Sequence, residues 1–354
     1  MSRGLLLCAA LGAVLTVLAA LVAPGALARG WLAGALLVLG LGLGAIWLLL
    51  IFALTGGRWG EGARPLLHGM LLLVQLGLLA LLPLLLVLPA LFPWTAPAET
   101  LPETVRHKLA YLNVPFLLLR AAACAVVWLG LLPFVRRWTQ PGVRAPGGGV
   151  SVALILHTLA VSVLSVDWMM SLEPDFVSTI YPMIEASAEA TGALALALLL
   201  AALAAPVERM PGGEKDEPLG EDLANLLFGF LMAWGYMAFM QYLIVWAADL
   251  PDEIGWYLRR NDGGWELVVW LMLALHLVPG AALMWPRLKK TRPGLIALAA
   301  LILAGHAVDV VWRIAPAGPG PGWAALGPVL LLGALGGALL TGRGLPRRRA
   351  AHAG

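Results

Sequence analysis

The sequence predicts an all-α, polytopic membrane protein. Three observations predict it. Hydrophobic residues make up 61% of the chain and charged residues 12%, against roughly 25% charged in soluble domains. Apolar runs recur along it, each long enough to cross a hydrocarbon core of ~30 Å. Clusters of Gly, Pro and charged residues separate those runs, where turns belong.

Ten segments follow. The first, 4–24, has a basic start and a long apolar run. It also fits a signal peptide, with Ala26-Leu27-Ala28 as the cleavage site. The length of the run favours a retained helix, and cleavage would leave nine helices without inverting the rest. Leu7 before Cys8 argues against lipoprotein processing. The second segment, 31–54, ends at "TGGRWGEGARP", and the third, 66–92, ends at "PWTAPAETLPETVRHK". The fourth, 109–135, is followed by "RRWTQPGVRAPGGG", and the fifth, 150–168, by a long polar loop. The sixth, 186–205, precedes "VERMPGGEKDEPLGED", and the seventh, 223–249, precedes "PDEIGWYLRRNDGG". The eighth, 265–286, ends at "PRLKKTRPG". The ninth and tenth are 294–314 and 322–341.

Basic residues orient these spans. Sixteen Lys and Arg fall at the N-terminus, the even-numbered connections and the C-terminus, among them Arg58, Arg64, Arg136, Arg137, Arg209, Lys215, Lys289 and Arg347 to Arg349. Six fall on the other side, and Arg120 lies within a span. Both termini are therefore expected in the cytoplasm.

Two outer helix ends read alike: "SVDWMMSLEP" and "AVDVVWRIAP". They end the fifth and ninth segments. An offset of four helices preserves direction, so the echo suggests a parallel repeat: one four-helix bundle over 31–168 and a second over 186–314. The first and tenth helices flank them within a single membrane domain, 1–354. Repeats of this kind tend to place binding sites near mid-membrane.

Polar residues inside the spans need explaining. An intramembrane Arg costs roughly 2.5–3.5 kcal/mol on insertion scales. Asn113 and Arg120, seven residues apart, are expected on one face of the fourth helix. In the fifth, Thr158, Ser162 and Ser165 form a stripe, with His157 beside it and Asp167 near the outer edge. His157 and Asp167 are about 15 Å apart along the axis, a gap that side chains and waters can bridge as a proton wire. Glu185 and Glu189 open the sixth helix. The seventh carries Asp249 and the eighth His276. In the ninth, His306, Asp309 and Arg313 share a face, and Asp309 can pair with Arg313 or, across the bundle, with Arg120. Singly, each group reads as interhelical glue. Together, most of them lie between mid-depth and the outer end, which points to a site open on that side.

Proton-coupled chemistry suits such a set. A quinol oxidised at the membrane loses two protons, and a His or carboxylate can accept one. The two cysteines, Cys8 and Cys124, both lie in apolar runs and suggest neither a disulfide nor a metal site. No C-x-x-C-H motif, cysteine quartet, nucleotide-type glycine motif or facing bis-histidine pair occurs, so no haem, iron–sulfur cluster or metal is expected in this chain. Electrons must leave through a partner.

The stretches "YLNVPFLLLR", "SVDWMMSLEPDFVSTIYP", "FLMAWGYMAFMQYLIVWAADLPDEIGWYLRR" and "HAVDVVWRIAP", in that order over about 110–316, resemble the ActF-type membrane subunits of alternative complex III. That complex is a bacterial quinol:cytochrome c oxidoreductase, and these subunits belong to the NrfD-like family of polysulfide reductase membrane subunits. The resemblance implies ten helices in two four-helix bundles and an outward-facing quinone or proton site. It also implies partners carrying iron–sulfur clusters and haem c, and a bacterial inner membrane location. In such complexes a paralogous subunit is the better-supported quinol oxidiser, and the ActF type is assigned a second quinone-binding or proton-conducting role. Two other classes stay open: a structural membrane anchor for a redox partner, and a secondary transporter using Arg120 to bind an anion.

Overall fold

The computed structural model describes residues 3–204 and 219–344. Arg209, Lys215 and Arg347 to Arg349, counted above for orientation, lie outside the described residues, as does the side chain of Arg343. Among the described residues, ten helices are long and apolar enough to cross a membrane, and no strand forms. The chain is an all-α polytopic membrane protein.

The helices are α1 (Arg3–Val22), α2 (Pro24–Thr55), α3 (Arg58–Leu81), α4 (Val114–Trp138), α5 (Gly147–Trp168), α6 (Tyr181–Ala204), α7 (Leu219–Ala247), α8 (Trp265–Leu283), α9 (Arg292–Ile314) and α10 (Leu326–Leu339). The segment boundaries shift for local reasons. Pro24 supplies the first turn of α2, where its missing N–H costs nothing, so that helix starts seven residues early. The glycine-rich "TGGRWGEGARP" is mostly helix. Only Gly56 and Gly57, at φ 67° and 108°, make the turn, and Gly60, Gly62 and Ala63 bury a face of α3. Pro83, lacking an N–H, accompanies the change of α3 into a 3₁₀ turn over Leu82–Leu86. Asn113 is not inside the fourth helix: it is the residue that starts it. Its backbone is extended and its Oδ1 accepts from Phe116 N at 3.0 Å.

Helix α2 sits at the centre. It packs on α3, α5, α6, α9 and α10, while α1 lies along α10 and α8 along α9. Small residues permit this, since helices in lipid gain by close van der Waals approach. A Cβ on Gly34 would fall 2.9 Å from the Pro328 carbonyl of α10, and one on Gly42 would fall 2.7 Å from Val74 N of α3. A Cβ on Gly44 would collide with the Glu189 carbonyl of α6. Gly44→Ala should therefore force α2 and α6 apart and cost about 1–3 kcal/mol. A thermal-unfolding midpoint in detergent equal to that of the unaltered protein would contradict this.

Candidate functional site

The buried charges gather at one end of the bundle, the end that the basic-residue bias assigns to the outside. They form two clusters.

The first joins α4 to α5. Because Asn113 delays the start of α4, Arg120 falls in its second turn, about 9 Å from the helix start rather than at mid-depth. Its Nε donates to Asp167 Oδ2 at 2.8 Å and its Nη2 to Oδ1 at 2.9 Å, a two-pronged pair with both side chains buried. Its Nη1 donates to the Tyr111 carbonyl at 3.0 Å. The guanidinium lies 3.7 Å over the Tyr111 ring and 4.3 Å from the Phe116 ring. The Tyr111 hydroxyl faces Asp167. Burial, then the Asp167 charge, push it up to about 12, so Tyr111 is a donor there and not a base.

Of the two pairings open to Asp309, the one with Arg313 forms and the cross-bundle one with Arg120 does not. Arg120 and Asp309 each have a nearer partner, since Asp309 Oδ2 accepts from Arg313 Nη2 at 2.8 Å on its own helix. Asn113 is taken up by local bonds: its Oδ1 caps α4 and its amide donates to the Leu109 and Ala110 carbonyls. In the hydroxyl stripe of α5, backbone carbonyls of the same helix take the serine protons. Ser162 and Ser165 give their protons to the carbonyls of Thr158 and Ser162. His157 is buried, with Nδ1 unpartnered.

The second cluster joins α6, α9 and the α7–α8 connection. Buried Arg313 of α9 pairs with Glu185 of α6 as well as with Asp309. Above it, Glu173 pairs with Arg259 and with Arg260 Nη1, the latter at 2.6 Å. Arg260 Nη2 donates to the Arg313 carbonyl at 2.6 Å. Burial pulls the Arg260 guanidinium below its ordinary value and Glu173 opposes that, so the group stays a cation at neutral pH. Phe176 stacks on Trp256 at 4.9 Å, and the Trp256 face also covers Arg260 at 3.6 Å. These rings roof the cluster. Three guanidinia thus meet three carboxylates.

A fourth carboxyl, Glu189, lies one turn deeper in α6. Its Oε1 is buried with no partner, and it packs against Gly40 and Gly44 of α2. His306 Nε2 is likewise buried and unpartnered, and the ring fills the space left by Gly192 of α6. His276 follows. Its Nδ1 bonds to the Met272 carbonyl at 2.8 Å, and its ring stacks on Trp234 at 4.2 Å and packs against Gly305. Asp249 is exposed beyond the end of α7 at φ 48°, and among the described residues no ion pair joins it to either cluster.

Sequence reasoning left several contributors out of the expected site. Glu173, Arg259 and Arg260 lie in connections rather than in apolar runs, and Tyr111, within the fourth apolar run, falls before the start of α4. Their only signal was membership of the motifs "YLN", "SLEP" and "YLRR". Arg29 was counted as a loop residue. It is buried in α2, with its Nε donating to the Ala315 carbonyl at 3.1 Å and its Nη2 to Pro319 O.

An apolar cleft of about 230 Å³ opens between α3, α4 and α5. Its walls include Leu82, Leu118, Ala122, Trp128 and Val163, with Cys124 among them, and Asp167 is the one carboxyl on the lining. The cleft reaches the lipid-facing surface at exposed Leu82 and Leu118. A second cavity, about 160 Å³ between α2, α3, α6, α9 and α10, is lined by hydrocarbon and glycine alone and offers no chemistry. Searched against protein-family models and curated proteins, the chain matches none.

Proposed function

We propose that this chain is an integral membrane subunit of a quinol-oxidising electron-transfer complex, of the alternative complex III kind. The observation that carries the proposal is Asp167: a carboxylate held by Arg120 at the end of an apolar cleft that opens to lipid. A quinol is an apolar molecule with two ionisable hydroxyls, and the cleft offers an apolar wall with one acceptor.

Oxidation of quinol to quinone releases two protons and two electrons. Asp167 takes a proton from the ring hydroxyl, with Arg120 and Tyr111 fixing its orientation. The outer end of the span at Leu172 is about 8 Å further along the chain axis, a short route for the proton. The electrons pass to a partner, in keeping with the iron–sulfur and haem c subunits that the motif resemblance implies. Glu189, His306 and His276 supply a second element, a proton-conducting file that leads inward from the Arg313 cluster. Unpartnered polar atoms on Glu189 and His306 favour water there, since buried polar groups seek partners.

The anchor reading draws on the same ion pairs, which by themselves need only hold helices together. The transporter reading gains no support, because among the described residues the ten spans run as helices through their middles and are not broken there. Purification from native membranes, followed by quinol oxidation with Asp167→Asn, separates the first two. Turnover is expected to fall at least about tenfold with assembly intact, because a neutral amide cannot take the proton. Unchanged turnover would remove Asp167 from the reaction.

A further inference from the structure

The opposite, basic end of the bundle carries a corner that the quinol reading does not use. Arg64 of α3 reaches the end of α4, whose last turn carries Arg136 and Arg137. Among the described residues, no carboxylate lies within ion-pair distance of any of the three, or of nearby Arg144. Several other cations at this end have partners. Arg58 reaches Asp222 at 3.6 Å, Lys289 donates to Asn225, and Arg292 donates to the Ala202 and Leu203 carbonyls at the end of α6.

The corner is built, not merely charged. Thr139, the residue that closes α4, holds it together. Its hydroxyl proton goes to the Val135 carbonyl at 2.7 Å, so His68 Nε2, 2.7 Å from the hydroxyl oxygen Oγ1, must donate to it. Arg64 Nη1 reaches the Thr139 carbonyl at 3.3 Å, leaving its other nitrogens uncommitted. Trp138, half-buried, pairs with exposed Phe134 at 5.5 Å. An indole at a helix end marks the headgroup level of a bilayer, and Phe134, one turn deeper, lies at acyl-chain depth.

We infer that this corner binds the phosphate of an anionic phospholipid, with a chain along Phe134 and exposed Val126 of α4. Guanidinia suit a phosphodiester because their paired N–H groups match its oxygens. Basic pockets between helices at this end of a membrane protein are where such headgroups lodge.

The test uses the full chain in nanodiscs of equal phosphatidylglycerol and phosphatidylcholine, with bound lipid counted by native mass spectrometry. Arg136→Gln/Arg137→Gln alters only exposed side chains and leaves the Arg64–Thr139 contact in place. Arg287→Gln/Lys290→Gln removes the same charge from the other basic connection. The unaltered protein should retain phosphatidylglycerol in about fivefold preference or more, at roughly a factor of five per basic residue. The first variant should lose most of that preference and the second should keep it. Equal loss in both variants, or loss in neither, would overturn the site and leave only a diffuse attraction of the basic end for anionic lipid.

Discussion

Arg313→Met is expected to deplete the folded protein. Among the described residues, Arg313 is the single cation paired with Glu185 and Asp309, and all three side chains are buried. Truncating one partner of a buried pair costs about 3–5 kcal/mol, because the remaining charge has neither water nor a counter-ion. Here two carboxylates lose their cation together and repel each other. Whole domains are stable by only about 5–15 kcal/mol. Fluorescence-detected size exclusion of a tagged chain should show the monodisperse peak falling to a small fraction of its normal height. The triple variant Glu185→Gln/Asp309→Asn/Arg313→Gln should restore much of the peak, since it removes the charges rather than stranding them. A full-height peak for Arg313→Met alone would show that the triad does not hold α6 to α9.

Arg120→Leu should be the next most damaging change, and its repair the more instructive. It strands Asp167 at the end of the cleft and uncovers the Tyr111 and Phe116 rings against which the guanidinium lay. A loss of about 3 kcal/mol is expected, and Arg120→Leu/Asp167→Leu should recover most of it, as paired removals of buried charge often do. A double-mutant cycle on thermal stability would report the coupling directly. The repaired protein is also the sharper functional probe. Stable but inactive, it would place the pair in the chemistry. Stable and fully active, it would reduce the pair to a bolt between α4 and α5.

The ten spans were legible in the sequence because the bilayer imposes them: a helix that crosses must be apolar for about 20 residues, and such runs are visible without any tertiary knowledge. Their ends were less so. The run around Asn113 reads as one apolar block, yet a side-chain cap decides where the helix begins, and that moved Arg120 from mid-depth into the second turn. Pairing was harder still. The "VD" of 166–167 and that of 308–309 both deliver a buried, guanidinium-paired aspartate, so the echo was informative about the anion. It said nothing about the cation, which comes from the preceding helix in one case and from one turn further along the same helix in the other. Glu173 and Arg260 escaped because they lie in connections, where a charge raises no question until the fold carries it inward.

The central position of α2 has a consequence in time. It is synthesised before α3, α5, α6, α9 and α10, yet it is the helix they all pack upon. It must therefore wait in lipid while its neighbours are made. Its composition suits the wait: among its 32 residues only Arg29 is charged, and that group sits near one end, where its long stem can reach the interface. The glycines at 34, 42 and 44 leave notches that nothing fills until α10, α3 and α6 arrive. α2 thus serves as the fixed post on which the later helices are hung, and its leucine surface is tolerated by the membrane first and by the protein afterwards.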